Sequence, residues 1–376
     1  MKTNPLKTLT SFGQSIWLDF ISKELITSGQ LNRLIKEDYL RGMTSNPAIF
    51  EKAILESHSY EDEIKELAQQ GKSANEIYEA ITQHDVRMAA DEFLPVFKAT
   101  DGVDGYVSLE VNPHLAHDTE GTITEARRLW KSVNRPNVFI KVPGTVEGLP
   151  AIKLLLSEGI NINITLLFGL PRYRQVAEAY ISALETRDSK NKPVKMIASV
   201  ASFFLSRIDV LLDPKFEQIA AKGGEDGEIA KKLVGQVAIA SAIIAYQMYK
   251  EIFGNNRFKK LADKGTRPQR VLWASTSTKN PKYSDVKYVE SLIGSNTVNT
   301  IPLETLEAYK DHGKPHLSLE KGVEHARWVL AQLPALGIDI DKITQQLEDE
   351  GIKKFNDPYD KLISSIEKAA SGQATR

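Results

Sequence analysis

The chain has 376 residues, 41% of them hydrophobic and 26% charged, a balance that supports a sizeable core and argues against disorder or a fibre. Lys and Arg number 48 against 49 Asp and Glu, a formal charge of -1, so no overall field draws the chain to nucleic acid or acidic membranes and any anion site must be local. The absence of cysteine excludes disulfides, thiolate metal sites and cysteine nucleophiles, and is compatible with a reducing compartment.

The first residues, MKTNPLKTLTSFGQ, lack the apolar run of a signal peptide. Runs rich in β-branched and aromatic residues then recur along the chain: SIWLDFI (15–21), GMTSNP (42–47), YVSLEV (106–111), VFIKVP (138–143), NITLLF (163–168), KMIASVASF (195–203), VLWAST (271–276) and TVNTIP (297–302). Helical spacing fills residues 122–132, 148–158 and 172–186 between them, and Thr122 followed by Glu125 has the spacing of a capping box, which predicts a helix start. The longest uncharged apolar stretch, 233–249, contains Gln236, Ser241 and Gln247 and falls short of the roughly 20 residues a membrane span needs. It reads as a buried, Ala-rich helix, with no membrane partner and a cytoplasmic location expected.

Strands alternating with helical stretches predict an α/β protein with a parallel sheet covered by helices. No Pro-rich or Gly/Ser-rich linker divides the chain and no fixed-period repeat appears. The expectation is one domain over residues 1–376, a (β/α)8 TIM barrel with additional N- and C-terminal helices and a long insertion between the second and third strands. A doubly wound open sheet is the alternative, but no G-x-G-x-x-G or P-loop pattern follows any of these strands.

Strands buried on both faces should be nearly continuous apolar runs. These are not. Lys141 shares a face with Phe139 in VFIKVP, Glu110 with Ser108 in YVSLEV, and Asp19 with Trp17 in SIWLDFI, while Asn163 and Thr165 share one in NITLLF and Asn46 closes GMTSNP. For any one of them an exposed strand end or a satisfied buried polar group is the plainer account. Polar groups at equivalent ends of five strands instead converge at the mouth of a closed barrel, where barrel enzymes build their sites.

A lysine within an apolar strand is the most informative of these, because a buried ammonium is costly unless paired or neutral. Burial favours the neutral amine, a nucleophile toward carbonyl carbon, which points to a Schiff-base lysine at Lys141. An ion pair of Lys141 with Glu110 or Asp19 is the structural alternative, and both can hold at different stages. Glu110 is placed to move protons during imine formation, directly or through water, and Asp19 to act on a substrate hydroxyl.

These residues bring a resemblance into view. The chain resembles the transaldolases, class I aldolase-type barrels of the pentose phosphate pathway, in their longer-chain subgroup, over almost its whole length. The resemblance rests on IWLDF with Asp19, MTSNPAIFEKAI with Asn46, VSLEVNP with Glu110, VFIKVPGT with Lys141, GININITLLF with Asn163 and Thr165, SFFLSRID with Ser202 and Arg207, and the FNDPYDKLI segment near the end. It implies that Lys141 attacks the C2 carbonyl of a phosphoketose and that Asp19 takes the C4 hydroxyl proton as the C3–C4 bond breaks. Glu110, with Thr165 and an ordered water, would move protons during imine formation, and Asn46 and Asn163 would hold hydroxyls of the bound dihydroxyacetone unit. Donors would be fructose 6-phosphate and sedoheptulose 7-phosphate, acceptors erythrose 4-phosphate and glyceraldehyde 3-phosphate, with no cofactor and no metal. Arg207, five residues after Ser202, matches the family's phosphate-binding arginine. After the seventh strand many relatives carry a second arginine behind an Ala-Ser pair; here ASTSTKNPKYSD retains Ser275, lacks that arginine, and leaves Lys279 as the substitute point charge.

Three other signals carry less. His114 and His117 have a spacing that suits a metal, but no third ligand motif stands near and a polar loop is the expectation. Residues 257–270 are basic without interleaved aromatics, so a solvated helix and turn is expected rather than nucleic-acid binding. DGVDG at 101–105 fits no EF-hand and predicts a tight turn. The functional alternatives are a fructose-6-phosphate aldolase that releases free dihydroxyacetone and a non-catalytic sugar-phosphate binding barrel.

Overall fold

The computed structural model describes residues 4–371. Its centre is a closed barrel of eight parallel strands joined in sequence order: β1 Gln14–Asp19, β2 Gly42–Thr44, β3 Tyr106–Glu110, β4 Val138–Pro143, β5 Ile162–Leu167, β6 Ser199–Phe204, β7 Arg270–Ala274 and β8 Thr297–Ile301. β8 pairs back onto β1, with Trp17 opposite Thr300, so no edge remains. Helices connect the strands on the outside, which is the (β/α)8 arrangement. The insertion between β2 and β3 consists chiefly of the helices Pro47–Leu55, Glu61–Gln69 and Ala74–Ala99.

Most strand ends shift by one or two residues from the sequence expectation, and two shift further, each for a local reason. β6 begins at Ser199 rather than 195, because Lys195 and Met196 lie in a turn and the Ala198 amide is taken by the Asn161 side chain at 2.9 Å. β2 stops at Thr44, because Asn46 leaves the ladder to cap the helix Pro47–Leu55, its Oδ1 accepting from the Ile49 amide at 3.0 Å. The capping box expected at Thr122 is also corrected. The helix there is Thr119–Val133, Asp118 is its cap, and Glu125 instead accepts from the Asn112 amide at 3.0 Å. The apolar stretch 233–249 is broken at 234–236 and continues as the helix Val237–Gly254. Among the described residues no single helix is long and apolar enough to cross a membrane; Gly224–Leu233 and Val237–Gly254 pass only as a pair, bent by 65°.

The middle of the barrel is filled by rings rather than left as a pore. Tyr106 and Phe139 stack with centroids 4.2 Å apart, and Trp17 lies 6.0 Å from Phe139. Glycine at 42 makes room for this cluster, since a Cβ there would sit 2.5 Å from the Trp17 ring. Below the rings a part-buried pair closes the floor, where Arg270 Nη2 lies 2.8 Å from Asp104 Oδ1. The rings therefore separate the two mouths.

Over the upper mouth runs the C-terminal helix Ile340–Ala370, packed against Pro47–Leu55 and Ala74–Ala99. Gly351 lets it approach closely: a Cβ there would meet Leu166 at 3.0 Å. Leu166 is itself in the left-handed region, φ 58°, where the β5–β6 register shifts.

Candidate active site

Parallel register sets the first layer of the site. Glu110 lies opposite Lys141, Lys141 opposite Asn163, and Asp19 opposite Thr44. Partners in register point to the same side of the sheet, so these side chains meet inside the barrel above the aromatic rings. There a cleft of about 300 Å³ opens at the C-terminal ends of the strands, with Asp19, Lys141, Thr165, Ser202 and Arg207 in its wall.

Lys141 is buried, 4% exposed, and its Nζ has two neighbours. It donates to the Ser45 carbonyl at 2.9 Å and lies 3.0 Å from Glu110 Oε2. The second contact is an ion pair without the alignment of a hydrogen bond, and both Glu110 oxygens are buried with no aligned donor. Burial pushes the Glu110 carboxyl up, against the pull of the Lys141 ammonium. The Thr165 hydroxyl is likewise buried and without a partner. The Phe355 ring from the C-terminal helix covers the amine, its centroid 5.7 Å from Nζ. Of the two ion pairs considered from sequence, the one with Glu110 is formed.

Asp19 lines the cleft and accepts from Thr44 Oγ1 at 2.6 Å. Burial raises its pKa, while that bond and the charges of Lys141 and Lys279 oppose the rise. Asn46 spends Oδ1 on its helix cap and reaches the cleft from the end of β2. Asn163 does not line the cleft. It is fully buried, donating to Ser108 Oγ at 3.0 Å and accepting from Ser202 Oγ at 2.7 Å, so it stands behind Ser202.

The far side of the cleft carries positive charge. Arg207, the second residue of the helix Ser206–Lys222, has a buried Nη1 with no partner and its guanidinium 5.7 Å over the Phe204 ring. Ser275, directly after β7, takes φ 54° and shares a 2.9 Å hydrogen bond with Ser206 Oγ. Lys279 lines the cleft and donates to Ser277 Oγ at 2.7 Å. With Lys52 the wall holds four cationic side chains against the carboxylates of Asp19 and Glu304, a local surplus of positive charge on a nearly neutral chain.

Lys52, Glu304 and Phe355 went unnoticed in the sequence. For Lys52 a signal exists, since Asn46, Ile49 and Lys52 repeat at helical spacing and Ile49 and Lys52 both face the cleft. Phe355 stands 214 positions from Lys141, and no local pattern links them. The histidines do not converge: His114 meets Asp360 at 2.7 Å and His117 meets Glu147 at 3.1 Å, in the short 3₁₀ helix Pro113–His117. Among the described residues no group of three or more His, Cys, Asp or Glu could hold a metal ion.

The family model described as Transaldolase/Fructose-6-phosphate aldolase matches residues 16–366. A protein named Transaldolase from Trichodesmium erythraeum is 48% identical over 371 residues, covering 98% of each chain. A Transaldolase 2 from Nostoc sp. is 46% identical over 372 residues with the same coverage, and a Transaldolase from Acidothermus cellulolyticus is 47% identical over 365 residues, 97% of this chain and 96% of its own.

Proposed function

The chain belongs to the transaldolase/fructose-6-phosphate aldolase family, and from that premise we propose that it is a transaldolase working through a Schiff base on Lys141. The observation that carries the reading is a buried lysine amine 3.0 Å from a carboxylate whose pKa is raised, in a cleft shared with a second carboxylate.

Glu110 takes the ammonium proton, and the neutral amine of Lys141 adds to the C2 carbonyl of fructose 6-phosphate or sedoheptulose 7-phosphate. The carbinolamine loses water with a proton returned by Glu110, through a water held between its oxygens and the Thr165 hydroxyl. Asp19 then accepts the C4 hydroxyl proton, the C3–C4 bond breaks toward the iminium, and an aldose phosphate leaves. The three-carbon enamine stays on Lys141 until erythrose 4-phosphate or glyceraldehyde 3-phosphate adds in the reverse sense. Asn46 and Ser202 hold hydroxyls of that unit, with Asn163 orienting Ser202 from behind. Arg207, Ser275 and Lys279 hold the phosphate. No cofactor is required, since the iminium is the electron sink. The reading includes a cytoplasmic location and a step of the pentose phosphate pathway.

The family also contains fructose-6-phosphate aldolases, which release free dihydroxyacetone. Phe355 and the C-terminal helix over Lys141 favour transfer, because they keep water from protonating the enamine. Borohydride reduction with fructose 6-phosphate, followed by peptide mass analysis, is expected to label the peptide containing Lys141; label elsewhere, or none, overturns the Schiff-base reading. Consumption of fructose 6-phosphate is expected to need erythrose 4-phosphate, and steady release of dihydroxyacetone without it would assign the aldolase reaction instead.

A further inference from the structure

Arg207 and Lys279 come from different elements, one from a helix start and the other from the irregular segment between β7 and the short helix Lys287–Glu290. A lysine is a point charge on a flexible stem, so its grip on an anion depends on where its backbone is held. The segment that carries it is tied down by several contacts. At its start the Ser206 amide donates to the Ser275 carbonyl at 3.0 Å, and at its tip Thr278 Oγ1 donates to the Ser284 carbonyl at 2.8 Å.

The strongest ties run to Asp209 and Asp213, one turn apart on the Arg207 helix and 1% and 5% exposed. Each carboxylate gives one oxygen to the turn preceding, or the start of, the helix Val237–Gly254: Ala238 N reaches Asp209 Oδ1 at 2.9 Å and Gly235 N reaches Asp213 Oδ1 at 2.7 Å. The other oxygen of each faces the Lys279 segment. Tyr288 donates to Asp209 Oδ2 at 2.6 Å, Lys287 Nζ stands 3.1 Å from the same atom, and Tyr283 donates to Asp213 Oδ2 at 2.6 Å. Lys287 Nζ is also wedged against both rings, 3.7 Å from the Tyr283 centroid and 4.8 Å from that of Tyr288.

Beside this cluster lies a separate cavity of about 230 Å³, bounded by Asp209, Asp213, Tyr283 and Tyr288. Lys279 lines both this cavity and the cleft. Its side chain therefore borders acidic space on one side and the cleft on the other, and the placement of its backbone biases which of them the ammonium reaches.

We propose that Asp209 and Asp213, with Tyr283, Lys287 and Tyr288, form a positioning unit that holds Lys279 toward the cleft at a set distance from Arg207, and thereby sets the affinity for the phosphate of the sugar. None of the five touches the reacting atoms. The proposal rests on the phosphate-binding roles given above to Arg207 and Lys279. It predicts a loss confined to phosphorylated substrates, whereas a purely structural anchor would weaken every step.

The test is Tyr283→Phe combined with Tyr288→Phe, which keeps both rings around Lys287 and removes only the hydroxyls. KM for fructose 6-phosphate is expected to rise roughly fivefold, the factor a lost hydrogen bond carries, with kcat little changed. Borohydride trapping of Lys141 by dihydroxyacetone, which has no phosphate, is expected to match the unsubstituted protein. Lys279→Met should raise KM by itself, and adding the two Tyr→Phe changes to it should raise KM no further. Should the double variant fold poorly, Tyr283→Phe alone, at the half-buried end of the cluster, gives the same comparison. An unchanged KM when the Tyr→Phe changes are made in the otherwise unsubstituted protein, an unchanged KM for Lys279→Met alone, a rise repeated in full on top of Lys279→Met, or a parallel loss of dihydroxyacetone trapping overturns the proposal. Failure of the unsubstituted protein to be labelled at Lys141 would instead overturn the Schiff-base reading, and is seen without any variant.

Discussion

The two mouths of the barrel each contain an ion pair, part-buried below and fully buried above, and the two differ most in how their hydrogen bonds are satisfied. At the floor, Arg270 gives one nitrogen to Asp104 at 2.8 Å and to the Val103 carbonyl at 2.6 Å, and the other to Ser15 Oγ at 2.9 Å. Asp104 also accepts from Ser15 at 2.7 Å and from the Trp17 indole at 3.3 Å, so the network is saturated. At the upper mouth Lys141 and Glu110 form an ion pair at 3.0 Å, yet both carboxylate oxygens, the Thr165 hydroxyl and a nitrogen of Arg207 accept or donate no hydrogen bond. A satisfied buried network stiffens a fold; an unsatisfied one is expensive to maintain and is kept where a substrate completes it. The fold thus places a satisfied polar network at one end and an unsatisfied one at the other, with the Trp17, Tyr106 and Phe139 rings between.

Breaking each end should separate the two. Lys141→Arg is expected to cut turnover by about a thousandfold or more, since guanidinium is not deprotonated in proteins and a covalent nucleophile is lost. Circular dichroism should still report a folded barrel; retained turnover would remove this lysine from the mechanism. Arg270→Met should do the reverse. Leaving Asp104 with only Ser15 and Trp17 should cost about 1–3 kcal/mol in urea unfolding, with kcat of the folded enzyme unchanged, and a variant as stable as the parent would show that the floor network is dispensable.

The smallest effect sharpens the contrast most. Burial raises the pKa of Asp19, so its charged form is disfavoured in the folded state. For a raised carboxyl the associated stability is present below the unfolded pKa and is lost as pH rises through the folded one. Asp19→Asn is therefore expected to raise the melting temperature at neutral pH while abolishing efficient C3–C4 cleavage, and the gain should vanish on acidification below the ordinary carboxylate range. A gain that persists in acid would assign the stabilisation to packing rather than to charge.

Much of this was legible in the chain itself. Period-two alternation sent Asp19, Glu110 and Lys141 to the inner face of their own strands, and a charge inside an apolar run is a conflict that only a site or a saturated network resolves. Alternation does not distinguish those two outcomes. Arg270 opens β7 and Asp104 stands just before β3, much as Lys141 and Glu110 lie within their strands, and only the partners brought by Ser15 and Trp17 make the former a structural lock. Asn163 shows the same limit from the other side. Its inward direction follows from the strand, but its place behind Ser202 depends on the neighbouring strand's register.

By itself, then, the order of residues determined eight strands, their polar interruptions and which amine is buried in a strand, because these depend on local spacing and on the cost of burying charge. Closure of the barrel decided the rest. It set which carboxylate pairs with Lys141, brought Phe355 over it from the far end of the chain, and turned Lys52, Arg207, Lys279 and Glu304 onto one cleft. Those contacts join segments far apart in sequence, where hydrogen-bond satisfaction is settled only once every neighbour is in place.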